Sequence, residues 1–120
     1  MHNFRELSVR QKARELNKKI YSLCDTFPDK ERFSLCSQMQ RASTSIASNI
    51  AEGAGRNSPK EFVQFLHIAY GSAFELETQI ILSYDLGYVT DKGMKPIVAY
   101  LQEIERMIYG LIQHNKKTKK

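Results

Sequence analysis

The segment of this chain best suited to chemistry is Gly53-Ala54-Gly55-Arg56-Asn57-Ser58, and the chemistry it suits is contact with an anion. Ser58-Pro59-Lys60-Glu61 directly after it reads as a helix start: Ser58 can cap, Pro59 suits the first helical position, and Glu61 completes a capping box. The positive end of that helix would face the loop, with Arg56 before it and Lys60 in its first turn. The same residues could also do no more than cap and solvate a turn. As a nucleotide fingerprint the segment is weak, because it joins helix to helix rather than strand to helix.

A second candidate group lies upstream. Arg41, Ser45, Ser48 and Glu52 recur at spacings of four, three and four, which is one face of a helix, with Asn49 at its edge. Arg41 and Glu52 are three turns apart, too far to pair within one helix. Two readings stay open: an ion pair with another helix or subunit, or phosphate contact by Arg41. The terminal Lys116, Lys117, Lys119 and Lys120 suit non-specific attraction to nucleic acid, or simply solubility.

Catalysis and metal binding find little support. His2, His67 and His114 are far apart, and His67 has no acidic residue three or four positions away. No E-x-x-H, H-E-x-x-H or G-x-S-x-G pattern occurs. Cys24 and Cys36 sit in segments with helical apolar spacing, outside any C-x-x-C, so buried free thiols are expected. The expectation is a protein that is not an enzyme and uses no metal or cofactor.

Four periodic segments would position these residues. Val9, Ala13, Leu16, Ile20, Leu23 and Phe27 form the stripe of a first helix over about Ser8 to Asp25. Pro28 interrupts it, and a second helix is expected from near Pro28 or Asp29 to Gly53, with Leu35, Met39, Ala42, Ile46 and Ile50 inward and Gly53 as a left-handed C-cap. A third runs from Pro59 to about Leu86, with Phe62, Phe65, Leu66, Ala69, Ala73, Leu76, Ile80 and Tyr84 as its main stripe. Ile68 and Leu82 fall on the opposite side, beside Gly71 and Ser72, which suggests a subunit contact or isolated surface residues. Gly87 ends that helix and Thr90 can cap the fourth, which begins near Asp91 with a bend at Pro96, or at Pro96 itself, and continues to about Gln113. Short connections make consecutive helices antiparallel neighbours, so the expected fold is all-α, an up-down-up-down four-helix bundle over residues 1–115 with a basic, disordered tail over 116–120.

The bulk properties agree with one globular domain. The chain has 120 residues, 42% hydrophobic and 26% charged, which argues against wholesale disorder. There is no apolar run long enough for a membrane span and no signal-peptide core after Met1, so a cytoplasmic setting without membrane contact is expected. The net charge of +5 is unevenly spread: residues 62–90 contain three acids and no Lys or Arg, and the last five residues contain four lysines.

Several blocks carry a family resemblance. Phe27-Pro28-x-x-Glu31, Gln38-x-Gln40-Arg41-Ala42-Ser43-x-Ser45-Ile46, Asn49-Ile50-Ala51-Glu52-Gly53, Ser58-x-Lys60-Glu61-Phe62-x-x-Phe65-Leu66, Ala69-x-Gly71-Ser72 and Glu75-Leu76 follow in order. Together they resemble the bacterial four-helix-bundle family encoded within intervening sequences of 23S ribosomal RNA genes, which includes the Avd accessory protein of diversity-generating retroelements. Gln40 stands where family members often carry the first of two arginines. The resemblance covers about Phe4 to Ile112 and implies a homopentameric, barrel-like ring. It further implies RNA or DNA as a partner; the residues read from the sequence for that contact are Arg41, Arg56, Lys60 and the terminal lysines, with Ile68, Leu82, Asn49 and Glu52 expected at the subunit interface. The alternative is a protein–protein adaptor, engaging a reverse transcriptase or a ribosomal component without binding nucleic acid itself.

Overall fold

The computed structural model describes residues 4–117. It contains α1 (Phe4–Cys24), α2 (Leu35–Ala54), α3 (Pro59–Asp85) and α4 (Asp91–Lys117), with no strand among the described residues. Each helix packs on the next in sequence, and α4 returns to α1, so the four enclose one core. Asn17 meets Ser43 and Cys24 meets Cys36 across α1 and α2. Across α2 and α3, Ser45 meets Ser72 and Met39 meets Ser83. Tyr70 meets Tyr109 and Glu77 meets Gln102 across α3 and α4, and Lys12 meets Glu103 between α1 and α4. Numbers rise on one helix as they fall on its successor, which is antiparallel packing.

The apolar stripes read from the sequence form the core. Val9, Ala13, Leu16 and Ile20 of α1, Met39, Ile46 and Ile50 of α2, Leu66, Ala69, Ala73, Leu76 and Ile80 of α3, and Leu101, Ile104 and Ile108 of α4 are all fully buried. Burial of this apolar surface, at roughly 25 cal/mol per Å², is the main stabilising term. Tyr84, expected in the α3 stripe, lies instead at the surface, 41% exposed.

Local chemistry explains the ends of α3. The Ser58 hydroxyl accepts the Glu61 N–H at 3.2 Å, and Pro59 occupies the first turn. At the other end Gly87 takes φ +83, Tyr88 N–H reaches the Ser83 carbonyl at 2.9 Å, and Gly87 N–H reaches Tyr84 at 3.0 Å. This pair of bonds is a Schellman stop, and a left-handed residue is what it needs. Thr90 then caps α4 by accepting the Gly93 N–H at 3.0 Å. The helix begins at Asp91 and runs through Pro96, which settles the two starts left open above.

Three boundaries differ from expectation. The first helix starts at Phe4, one turn early. The second starts at Leu35, not Pro28: Asp29–Glu31 form a single 3₁₀ turn instead. Glu31 is held there by two hydroxyls at 2.7 Å each, one from Ser34 and one from Tyr88 in the α3–α4 connection. Ser34 leaves helical geometry at φ −124, ψ −95, and Phe33 points outward, 88% exposed. Gly53 is not a left-handed cap but a buried residue inside α2, which continues to Ala54. A Cβ there would stand 2.7 Å from the Phe65 Cβ and 2.8 Å from Phe62 Cδ1, so its glycine serves close packing of α2 on α3.

Cys24 and Cys36 are buried free thiols where α1 turns into α2. Each thiol donates towards the carbonyl of the other residue, at 3.9 and 3.7 Å. Lys116 and Lys117, expected in a disordered tail, form the last exposed turn of α4. Lys119 and Lys120 lie outside the described residues.

Candidate functional site

Because consecutive helices are antiparallel, the start of α1, the end of α2, the start of α3 and the end of α4 meet at one end of the bundle. A cleft of about 220 Å³ opens there, lined among others by Glu6, Gly53, Arg56, Ser58, Phe62 and Asn115. Arg5, Lys60, Lys116 and Lys117 are sequence neighbours of lining residues and all are exposed. The fold thus brings together cations from three helices. Arg56 is the most constrained of the candidates: its guanidinium pairs with Glu52 at 3.0 Å, lies 3.9 Å from Glu61 and sits 4.9 Å over the Phe65 ring. Glu6, only 2% exposed, pairs with Arg10 at 2.9 Å and adds a carboxylate to the cleft wall. Electrostatically the cleft itself is therefore mixed, and the unscreened positive charge belongs to its rim.

Arg41 is elsewhere. It stands on a shallow groove with Tyr21, Thr44, Ser45 and Ser48, fifteen residues and roughly 22 Å of helix from Arg56. One phosphate cannot touch both.

The expected assembly residues divide into two kinds. Ile68 and Leu82 are 52% and 46% exposed on α3, and Leu86 continues the same face. Between them Gly71 is open: nothing lies within 4 Å of where its Cβ would stand. Asn49 and Glu52 are engaged within the chain. The Asn49 amide donates to the Ser45 carbonyl at 2.8 Å, Ser45 shares a 2.8 Å hydrogen bond with Ser72, and Glu52 holds Arg56. Small residues on both helices let α2 and α3 form the most extensive pairing of the bundle, and this explains the unusually polar, weakly helix-favouring face of α2.

Residues 5–110 match the family model described as 23S rRNA-intervening sequence protein. The chain belongs to this family. A crystal structure of an S23 ribosomal protein family member from Bacteroides thetaiotaomicron, a protein of unknown function, superposes with TM-score 0.85 at 26% identity, covering 92% of this chain and 99% of that one. No curated protein matches the chain.

One polar site of this intervening-sequence protein escaped the sequence reading. Glu77 of α3 and Glu105 of α4 face one another between the two helices, with Glu105 buried. Burial, followed by the hydrogen bond and charge of Glu77, pushes the Glu105 carboxyl up to about 8. Twenty-eight residues separate the pair, so no local pattern links them; only the antiparallel register of α3 and α4 does. Among the described residues no group of three or more His, Cys, Asp or Glu could hold a metal ion, and no helix is long and apolar enough to cross a membrane.

Proposed function

We propose that this 23S rRNA-intervening sequence protein is a non-catalytic scaffold that binds the phosphate backbone of nucleic acid and works as a ring of five copies. The observation that carries the reading is the convergence of Arg5, Lys60, Lys116 and Lys117 on one end of the bundle from distant parts of the sequence. Phosphate contact falls to the exposed lysines, while Arg56 orders the α2–α3 turn through Glu52 and Glu61. Arg41 contacts a separate phosphate along the α2 flank. The ring number rests on the family resemblance, and the exposed Ile68 and Leu82 supply an apolar face for it.

The test is binding to RNA and to duplex DNA across a salt series. Micromolar or tighter affinity should fall steeply with salt, because phosphate neutralisation releases counterions. Absence of binding at about 50 mM salt would overturn the reading and leave the second one, a protein adaptor whose docking face is the Ile68, Leu82 and Leu86 strip. Mass measurement by light scattering tests the ring separately.

A further inference from the structure

Helices α1 and α3 each pack on α2 and α4 but not on one another, so they stand on opposite sides of the bundle. Their outer faces carry the same pattern with opposite charge. On α1, Leu7, Arg14 and Tyr21 recur at intervals of seven, and on α3 Ile68, Glu75 and Leu82 do the same. Seven residues are close to two helical turns, so each trio forms one strip about 21 Å long. Leu7 and Tyr21 are each 46% exposed, much like Ile68 and Leu82. Arg14 has no ion pair among the described residues, and Glu75 takes only the Gln79 amide of its own helix, at 3.3 Å. Residues 62–90 contain no Lys or Arg, whereas Arg10 and Lys18 stand one turn either side of Arg14.

We infer that the α3 strip of one copy docks on the α1 strip of a second copy, Ile68 and Leu82 against Leu7 and Tyr21, with Glu75 paired to Arg14 between them. A second copy is the occupant because each strip finds its complement, in charge and in spacing, on the chain itself. An acidic, apolar face repels nucleic acid and anionic lipid alike. The contact is heterologous: the two strips point away from each other on one chain, so copies add head to tail until they close. Within the chain α1 and α3 run in the same direction, so rotation about an axis along the bundle lays them parallel, Leu7 beside Ile68. The Asn17–Ser43 and Ser45–Ser72 contacts put Glu75 about one turn, roughly 6 Å, from the level of Arg14. A tilt of about 20°, the usual crossing of packed helices, takes up a step of this size. Gly71, open between Ile68 and Glu75, has no side chain to hold α1 away. The inference rests on the reading that copies assemble, not on their number or on nucleic acid.

Charge reversal in the full chain tests the pairing, with mass by light scattering over a concentration series and melting as the control for folding. Glu75→Arg sets two arginines face to face across the contact, and Arg14→Glu sets two glutamates. Each should raise the concentration for half-assembly at least about ten-fold while melting stays as in the parent. Arg14→Glu gains Lys18 as an i,i+4 partner, so its own helix is not weakened. Both changes in one chain restore opposite charges, and assembly should return to within about three-fold of the parent. If the parent stays a 13.9 kDa single chain at every concentration, the inference falls together with the assembly reading, and the α3 strip is left for a different protein. If the parent assembles but either single reversal assembles equally well, or the double variant stays dissociated, the α1–α3 pairing is overturned while assembly itself stands.

Discussion

Gly53 and Phe65 approach so closely that a Cβ on the glycine would stand 2.7 Å from the Phe65 Cβ. That atom is the root of its side chain and cannot swing away without moving α3. Alanine at position 53 would gain about 1 kcal/mol of helix propensity. Overpacking costs about 1–3 kcal/mol and should dominate. Gly53→Ala is therefore expected to be net destabilising, by up to about 2 kcal/mol, in urea unfolding. A variant as stable as the parent, or more so, would return Gly53 to an ordinary helical position.

The carboxyl pair gives a pH dependence with a definite sign. Unfolded, Glu105 titrates near its ordinary value of about 4.3; folded, it holds its proton up to about 8. The raised value stabilises the fold fully at low pH, erodes from about pH 4 and is lost above about pH 8. Glu105→Gln removes that slope. Relative to the parent it should gain on the order of 2 kcal/mol between pH 5 and pH 9, less than the ideal linkage value because relaxation and water entry soften buried charge. Paired melting curves at the two pH values measure it.

Charge placed on the outer face of α3 tests assembly. In a ring that buries this face, Ile68→Glu or Leu82→Glu would bury an unpaired carboxylate, costing about 3 kcal/mol or more per interface. Light scattering should then report the 13.9 kDa single chain in place of the assembled mass. An unchanged mass would make both residues ordinary surface.

Rim lysines and Arg56 should separate in a nucleic-acid titration. Each phosphate contact contributes roughly 0.7–0.9 to the slope of log affinity against log salt. Lys116→Ala with Lys117→Ala should lower that slope by about 1.5, and Lys60→Ala by just under 1. Arg56→Ala should mainly loosen the turn, raising its hydrogen exchange, because its guanidinium is already committed to Glu52 and Glu61.

What the sequence made legible was chemistry that acts over a few residues. Ser58 and Pro59 announced the start of α3, and Gly87 its end, because caps are local. The four stripes named the core, since helical period alone decides which side chains can meet. Gly53 was misread because the residue that demands a glycine there, Phe65, belongs to another helix. Pro28 permits a helix start, but Tyr88 from a distant connection ties Glu31 into a turn. The cationic rim was half legible: Lys60, Lys116 and Lys117 stood out individually, and their convergence came only with the antiparallel order. The facing of Glu77 and Glu105 had no sequence signal at all.

The crossed thiols of Cys24 and Cys36 give this protein a built-in gauge of its own motion. Burial first, and then Cys36, push the Cys24 thiol well above its usual range, so almost no thiolate exists near neutrality. Alkylation in the native state must then wait for the turn between α1 and α2 to come apart. Iodoacetamide uptake becomes a clock that counts those openings, read by mass without any added label. Anything that grips the first hairpin, whether a bound strand or a neighbouring copy, should slow the clock, and a ligand seated elsewhere should leave it running.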